Sequence, residues 1–153
     1  MSLNNKDRET KGLIAMMIIE VLGKPPEHLK ETLEEIIKKI DAEKGVSVIF
    51  KKINEPVLMK EQKEFYTSFA EIEIEVEEIL HLAILMFKYM PAHIEIISPE
   101  LIALTNNGWN DVLNELTRRL HGYDEVARII QVEKNILEKK LRVALENKKK
   151  EEK

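Results

Sequence analysis

The chain of 153 residues contains no cysteine, which excludes disulfide bonds, thiolate nucleophiles, zinc–thiolate sites and iron–sulfur clusters. It has only five glycines, and none of the glycine-rich motifs that bind phosphate groups is present. The longest apolar run, residues 13–19, is far shorter than the ~20 residues of a membrane-spanning helix. No signal peptide is recognisable. We therefore expect a cytoplasmic protein without a cofactor.

The charge balance gives little reason to expect an anionic partner. There are 28 acidic and 24 basic residues, and a net charge of −4 provides no general attraction for nucleic acids or anionic membranes. Glutamate accounts for 24 of the acids and lysine for 19 of the bases, a bias reported for proteins of thermophiles. Because 44% of the residues are hydrophobic, the chain has enough apolar side chains to build a core.

The spacing of apolar residues, together with the prolines and glycines that bound each segment, predicts six helices and strands in the first two thirds of the chain. The segment "LIAMMIIEVLG" is apolar on both faces and predicts a buried central strand. Pro25, Pro26 and Gly45 bracket a strong amphipathic helix pattern. Two strands joined by a charged loop at 60–64 follow, then an apolar helix closed by Pro91 and a short strand.

This order predicts an α+β protein, a ferredoxin-like βαββαβ sandwich over residues 12–99 with a C-terminal helical extension. We expect residues 1–11 to be disordered. Residues 100–147 should form two helices, divided at Gly122, that pack on the domain or on a partner. The charged segment 148–153 should be a solvated tail.

An unsatisfied apolar surface leads us to expect a homodimer. One sheet face of such a sandwich is covered by its two helices, yet the first strand is apolar on both sides, so another surface must cover the second. The last helix also has apolar residues on two sides. The expected interface comprises Ile14, Met16, Ile18, Phe69, Val126, Ile129, Val132, Ile136, Leu137 and Leu141.

Glu71, Glu73 and Glu75 alternate along the second strand of the hairpin and therefore share one face. Their Cα atoms should be ~6.6 Å apart, which is too far for one carboxylate to bridge directly to the next. We interpret the row as a solvated or ion-paired strand face, and keep a hard-cation site as a weak alternative. In the ion-paired version, a base from "KKLR", residues 139–142, lies over the row.

The segment "EIEIEVEEILHLAILMFKYMPAHIEIISPE", followed by Leu113, Leu116, Leu120 and Tyr123, resembles the C-terminal extension of WYL-domain transcription regulators. The resemblance covers residues 65–123, and the overall topology is similar to that of ACT-type regulatory domains. The chain has no Trp-Tyr-Leu core, so the DNA-binding role of that family is not carried over. The resemblance implies a regulatory or assembly module without catalysis.

From the sequence we expect a non-catalytic protein-interaction or assembly module that associates with a second copy of itself, with a further protein partner as a possibility. One alternative is a regulatory domain that binds a small molecule, as the ACT-like topology implies. A second alternative is an accessory protein that binds RNA, although three glutamates on the open sheet face would repel phosphates. No catalytic residues are assigned, and neither a nucleic-acid partner nor a membrane is expected.

Overall fold

A computed structural model describes residues 9–60 and 64–151 and confirms the α+β class. It contains a five-stranded sheet and three helices. In chain order the elements are β1 (Leu13–Gly23), α1 (Pro26–Asp41), β2 (Val46–Ile53), β3 (Val57–Leu58), β4 (Tyr66–Val76), α2 (Ile79–Tyr89), β5 (His93–Ser98) and α3 (Asn106–Glu151).

The strand order in the sheet is β2-β4-β1-β5, and the two-residue strand β3 also pairs with β4. Every pairing is antiparallel. The two long strands β1 and β4 are central, and they pair along their whole length from Leu13–Val76 to Gly23–Tyr66. The register shifts within the pairings of β2 and β5, which indicates an irregularity in each outer strand.

The core lies between one face of the sheet and helices α1 and α2. Alternate residues of the two central strands point into it, as the period of two requires. From α1 the amphipathic spacing supplies one apolar side, and α2 adds two leucines. The buried cluster comprises Leu13, Ala15, Met17, Ile19, Leu33, Ile37, Ile40, Ala70, Ile72, Ile74, Val76, Leu82 and Leu85.

The C-terminal segment differs from its prediction, because one helix stands where two were expected. Helix α3 continues through Gly122, and a Cβ built at that glycine would meet no atom within 4 Å. A glycine inside a helix costs only about 1 kcal/mol relative to alanine, which strong helix formers on both sides can offset. Within the described residues, no helix combines the length and apolarity needed to span a membrane.

The chain divides into two compact units, Met1–Glu115 and Leu116–Lys153. In the first unit, Glu9 and Thr10 are hydrogen-bonded instead of free: the Thr10 N–H donates to the Ala103 carbonyl at 2.9 Å, and the Glu9 carboxylate accepts from the Thr105 hydroxyl. Residues 1–8 of the segment predicted to be disordered lie outside the described residues. The described part of the second unit is helical throughout.

A polar contact connects the turn after α1 to the end of α2. The Glu43 carboxylate accepts a hydrogen bond from Lys88 and another from the Tyr89 hydroxyl, the latter at 2.6 Å. The Lys88 hydrogen bond, followed by that of Tyr89, lowers the pKa of Glu43 below its ordinary value of 4.5. Burial, together with the Glu43 carboxylate, raises the pKa of Tyr89.

We expect Glu43→Gln to lower the free energy of unfolding by about 1 kcal/mol, because a charged acceptor is exchanged for a neutral one at a partly exposed site. The corresponding fall in Tm is about 2–4 °C. A lowered folded-state pKa means that the contribution is complete above pH 4.5 and is lost as the pH falls through the folded value. Urea unfolding of both proteins at pH 7 and pH 3 checks this, and an equal difference at the two pH values would contradict it.

Candidate functional site

The sheet face away from α1 and α2 carries the glutamate row, and its neighbours follow from the strand register. Residues paired across antiparallel strands share a face, with side chains ~5 Å apart. Read from β2 through β4 and β1 to β5, the three cross-strand rows are Ser47–Glu75–Ile14–Ser98, Phe50–Glu73–Met16–Glu95 and Lys52–Glu71–Ile18–His93. Each glutamate therefore has an aliphatic neighbour on β1.

The glutamates remain a row in the structure and do not converge. Glu71 pairs with Lys52 across the β2–β4 ladder, which is a favourable juxtaposition of charges. Within residues 9–60 and 64–151, no three histidine or acidic side chains are grouped so that they could hold a metal ion. The weaker alternative of a hard-cation site at Glu71, Glu73 and Glu75 stays a prediction.

The apolar residues predicted on this face are only partly available. Ile14, Met16 and Ile18 are each half-buried within the sheet. Phe69 is 39% exposed and pairs with Glu20. Phe50, which sequence analysis did not select, is 49% exposed beside Glu73 because the register of β2 shifts just before it. The open face thus offers scattered apolar area between charges.

An open cavity of about 640 Å³ lies where β1 and β2 begin and β4 ends. Backbone hydrogen bonds through Glu77 hold the two strand starts here: its carbonyl accepts from the Gly12 N–H at 3.1 Å, and its N–H donates to the Gly45 carbonyl at 2.9 Å. The charged residues of the lining are Lys11, Glu75, Glu77 and Glu78. Three carboxylates against one ammonium favour a cationic occupant.

Gly45 forms part of this cavity wall and has a left-handed backbone with φ of +71°. A Cβ built on it would lie 2.7 Å from Nε2 of His81 and 3.1 Å from Oε2 of Glu77. Nδ1 of His81 is buried, and among the described atoms it has no hydrogen-bond partner. The histidine ring is therefore packed against backbone at a point where only glycine fits.

The most extensive apolar surface of the described residues is on α3. Every side chain from Leu120 to Lys150 is exposed, including large hydrophobic ones that are normally buried. The six predicted interface residues on this helix are 47–64% exposed: Val126, Ile129, Val132, Ile136, Leu137 and Leu141. Leu120, Tyr123, Ile130, Val143 and Leu145 are exposed to a similar degree.

Five of these exposed residues belong to a heptad repeat within the second unit. Spacings of three and four alternate from Leu116 to Ala144 without interruption. Such a repeat places one stripe along the helix and is the signature of helices that pair side by side. The stripe comprises Leu116, Leu120, Tyr123, Ala127, Ile130, Lys134, Leu137, Leu141 and Ala144.

A second apolar stripe borders the first. It contains Val126, Ile129, Ile136 and Val143, so that within each heptad the apolar positions span about 160° of the helix circumference at 100° per residue. That is wider than the seam of a two-stranded coiled coil. Ion pairs of Arg128 with Asp124 at 2.8 Å and of Lys134 with Glu138 at 3.8 Å lie along the helix surface. Whether residues 139–142 cover the glutamate row stays a prediction.

Comparison with known protein families matches residues 14–151 to the MJ0538 family. No curated protein and no solved structure matches the chain. The likeness to WYL-domain regulators and to ACT domains therefore stays a prediction. The match extends over nearly all of β1 and all of α3, so it includes both the sheet with helices α1 and α2 (the sheet unit) and the long helix. The chain therefore belongs to the MJ0538 family.

Proposed function

We propose that this protein is a non-catalytic assembly module that associates with a second copy of itself through helix α3. The observation that carries the proposal is the unbroken heptad stripe on a helix whose side chains are all exposed from Leu120 to Lys150. An exposed and largely apolar surface of this length is uncommon on monomeric proteins and is typical of interaction sites. From Leu116 to Ala144 the stripe is ~42 Å long at 1.5 Å per residue.

The outer strands of the sheet support a helical rather than a strand-mediated interface. Both β2 and β5 contain register shifts, at Val48–Phe50 and opposite Ile14–Ala15. Such bulges twist an edge and discourage a further strand from pairing with it. The open sheet face, with half-buried Ile14, Met16 and Ile18, is proposed as a smaller, additional contact.

We further propose that the sheet unit is a ferredoxin-like sandwich. Its support is the order β2-β4-β1-β5 with antiparallel neighbours, together with one helix after β1 and one after β4. The short strand β3 is an addition to the four-stranded pattern. Folds of this type host many functions, so the fold itself does not select one.

Amide hydrogen exchange tests the assembly proposal along the chain. If α3 is covered by a second copy, the exchange of amides in residues 116–144 should slow as the protein concentration is raised through the dissociation constant. Amides of the central strands β1 and β4 serve as the internal control, because burial in the core protects them at every concentration. Rapid exchange throughout 116–144 that does not depend on concentration would contradict the proposal.

A regulatory small-molecule-binding domain is the second candidate, favoured by the cavity beside Gly12 and Gly45. Its acidic lining selects amines over anions. At a concentration of 100 times Kd, lysine, arginine or a polyamine should raise Tm by about 5–10 °C, and Glu75→Gln with Glu77→Gln should abolish the rise. Neutral amino acids at the same concentration are the control. An unchanged Tm with every amine would contradict this candidate.

A further inference from the structure

The heptad stripe of α3 contains three positions that a symmetric parallel pair would accommodate poorly, and a fourth lies just beyond its end. Small residues occupy the stripe at Ala127 and Ala144, and a charged residue occupies it at Lys134, with Lys148 one step beyond its end. In a parallel, in-register pair each of these positions faces its own copy. Two layers would then contain only methyl groups, and Lys134 would meet Lys134 of the second copy in the middle of the seam. Under-filled layers and like charges both destabilise such a pair.

Antiparallel packing changes the neighbours, because the two types of heptad position then face each other. We propose that two copies of this chain pair their α3 helices in antiparallel orientation, with Ala127 of one copy opposite Leu137 of the other. The inference rests on the proposed self-association and adds its geometry. The layers are Leu120 with Ala144, Tyr123 with Leu141, Ala127 with Leu137, and Ile130 with Lys134, each occurring twice about a two-fold axis near residue 132.

The side-chain volumes are better matched in these antiparallel layers than in the layers of a parallel pair. Each alanine faces a leucine, so the small side chains are each opposite a large one and no layer contains only methyl groups. Lys134 faces Ile130, along which its aliphatic stem can lie while the ammonium reaches solvent. No lysine faces another lysine across the seam. The two-fold axis also makes the interface self-complementary, as a closed dimer requires.

The flanking charges are mixed in this register, since Glu133 of one copy lies near Glu133 of the other at the two-fold axis. The same alignment brings Asp124 near Glu138 of the second copy, which would be repulsive for isolated carboxylates. Asp124 is already paired with Arg128 at 2.8 Å, and Glu138 with Lys134 at 3.8 Å, within the same helix. Shifting the register by one heptad in one direction places Ala127 opposite Ala144. Shifting it in the other direction places Arg119 near Lys140.

Disulfide cross-linking distinguishes the orientations cleanly because the natural chain has no cysteine. Two full-length variants are made separately, Ala127→Cys and Leu137→Cys, the second carrying an affinity tag that gives it a different mass. Each is oxidised alone, and then the two are mixed at equal concentration, allowed to exchange subunits and oxidised. Each variant carries a single cysteine, so a disulfide bond can form only between two chains.

The antiparallel register predicts that neither variant cross-links efficiently alone and that the mixture gives at least a tenfold excess of mixed dimer over either like dimer. Efficient cross-linking of Ala127→Cys to itself would overturn the orientation in favour of a parallel pair. Absence of any cross-link in a sample that light scattering finds dimeric would overturn the register. A sample that is monomeric before oxidation would overturn the proposed function itself, so the two failures are distinguishable.

Discussion

Replacing Ile130 and Leu137 together with aspartate should convert the protein into a monomer at concentrations where the natural chain is dimeric. Both side chains are more than half exposed in one copy, at 58% and 64%, and lie one heptad apart in the stripe. Losing two large apolar side chains from a packed interface costs at least about 4 kcal/mol, which corresponds to a dissociation constant about 10³-fold higher. Light scattering over a concentration series measures the change.

The matched control is Asn135→Asp with Arg142→Asp. These positions are also seven residues apart on α3, but they lie away from the apolar stripe. The control should self-associate within a few-fold of the natural chain, and both doubly substituted proteins should retain their helical circular dichroism. Equal association of all three proteins would show that the heptad stripe does not form the interface.

Gly45→Ala should be the most destabilising single change in the sheet unit that adds only a methyl group. The left-handed backbone at φ of +71° costs a residue with a Cβ about 1–2 kcal/mol, and the methyl group would lie 2.7 Å from the ring of His81. Overpacking of this kind typically adds 1–3 kcal/mol. We therefore expect a loss of about 2–5 kcal/mol and a fall in Tm of roughly 4–20 °C, measured by thermal unfolding.

Substitutions at two other glycines distinguish the two causes of this loss, which are the backbone strain and the contact with His81. At Gly12 the backbone is equally left-handed, but the nearest atom to a Cβ is 3.8 Å away, so Gly12→Ala should cost only the backbone strain of about 1–2 kcal/mol. Gly122 lies within α3 with open space around it, so Gly122→Ala should stabilise the helix by about 0.5–1 kcal/mol. If Gly45→Ala and Gly12→Ala lowered Tm equally, contact with His81 would play no part.

The sheet unit was largely predictable because its patterns are local. The alternation from Tyr66 to Val76 indicated which face each glutamate would occupy, and the amphipathic spacing of α1 identified its buried side. Neighbours across the sheet were not predictable, since they depend on register. The shift in β2 that brings Phe50 beside Glu73 leaves no mark in the sequence of either strand. Docking of Glu9 near Thr105 likewise depends on residues far apart in the chain.

The long helix shows how one local rule can hide a longer pattern. Gly122 was interpreted as a helix end, because glycine commonly follows the last turn of a helix. Dividing the segment there separated Leu120 from the apolar residues that follow the glycine, so Leu120 was left out of the expected interface although Leu137 and Leu141 were included. In the structure the helix is continuous, and the repeat can be followed from Leu116 to Ala144. A count that ignored the glycine would have found it.

Self-association through α3 is tested most directly by the mass of the natural, full-length chain in solution. Light scattering coupled to size-exclusion chromatography should give a mass of twice the 17.8 kDa of one chain at high micromolar concentration, falling toward the single-chain value on dilution. A mass of 17.8 kDa at every concentration up to the high micromolar range would contradict the assembly proposal.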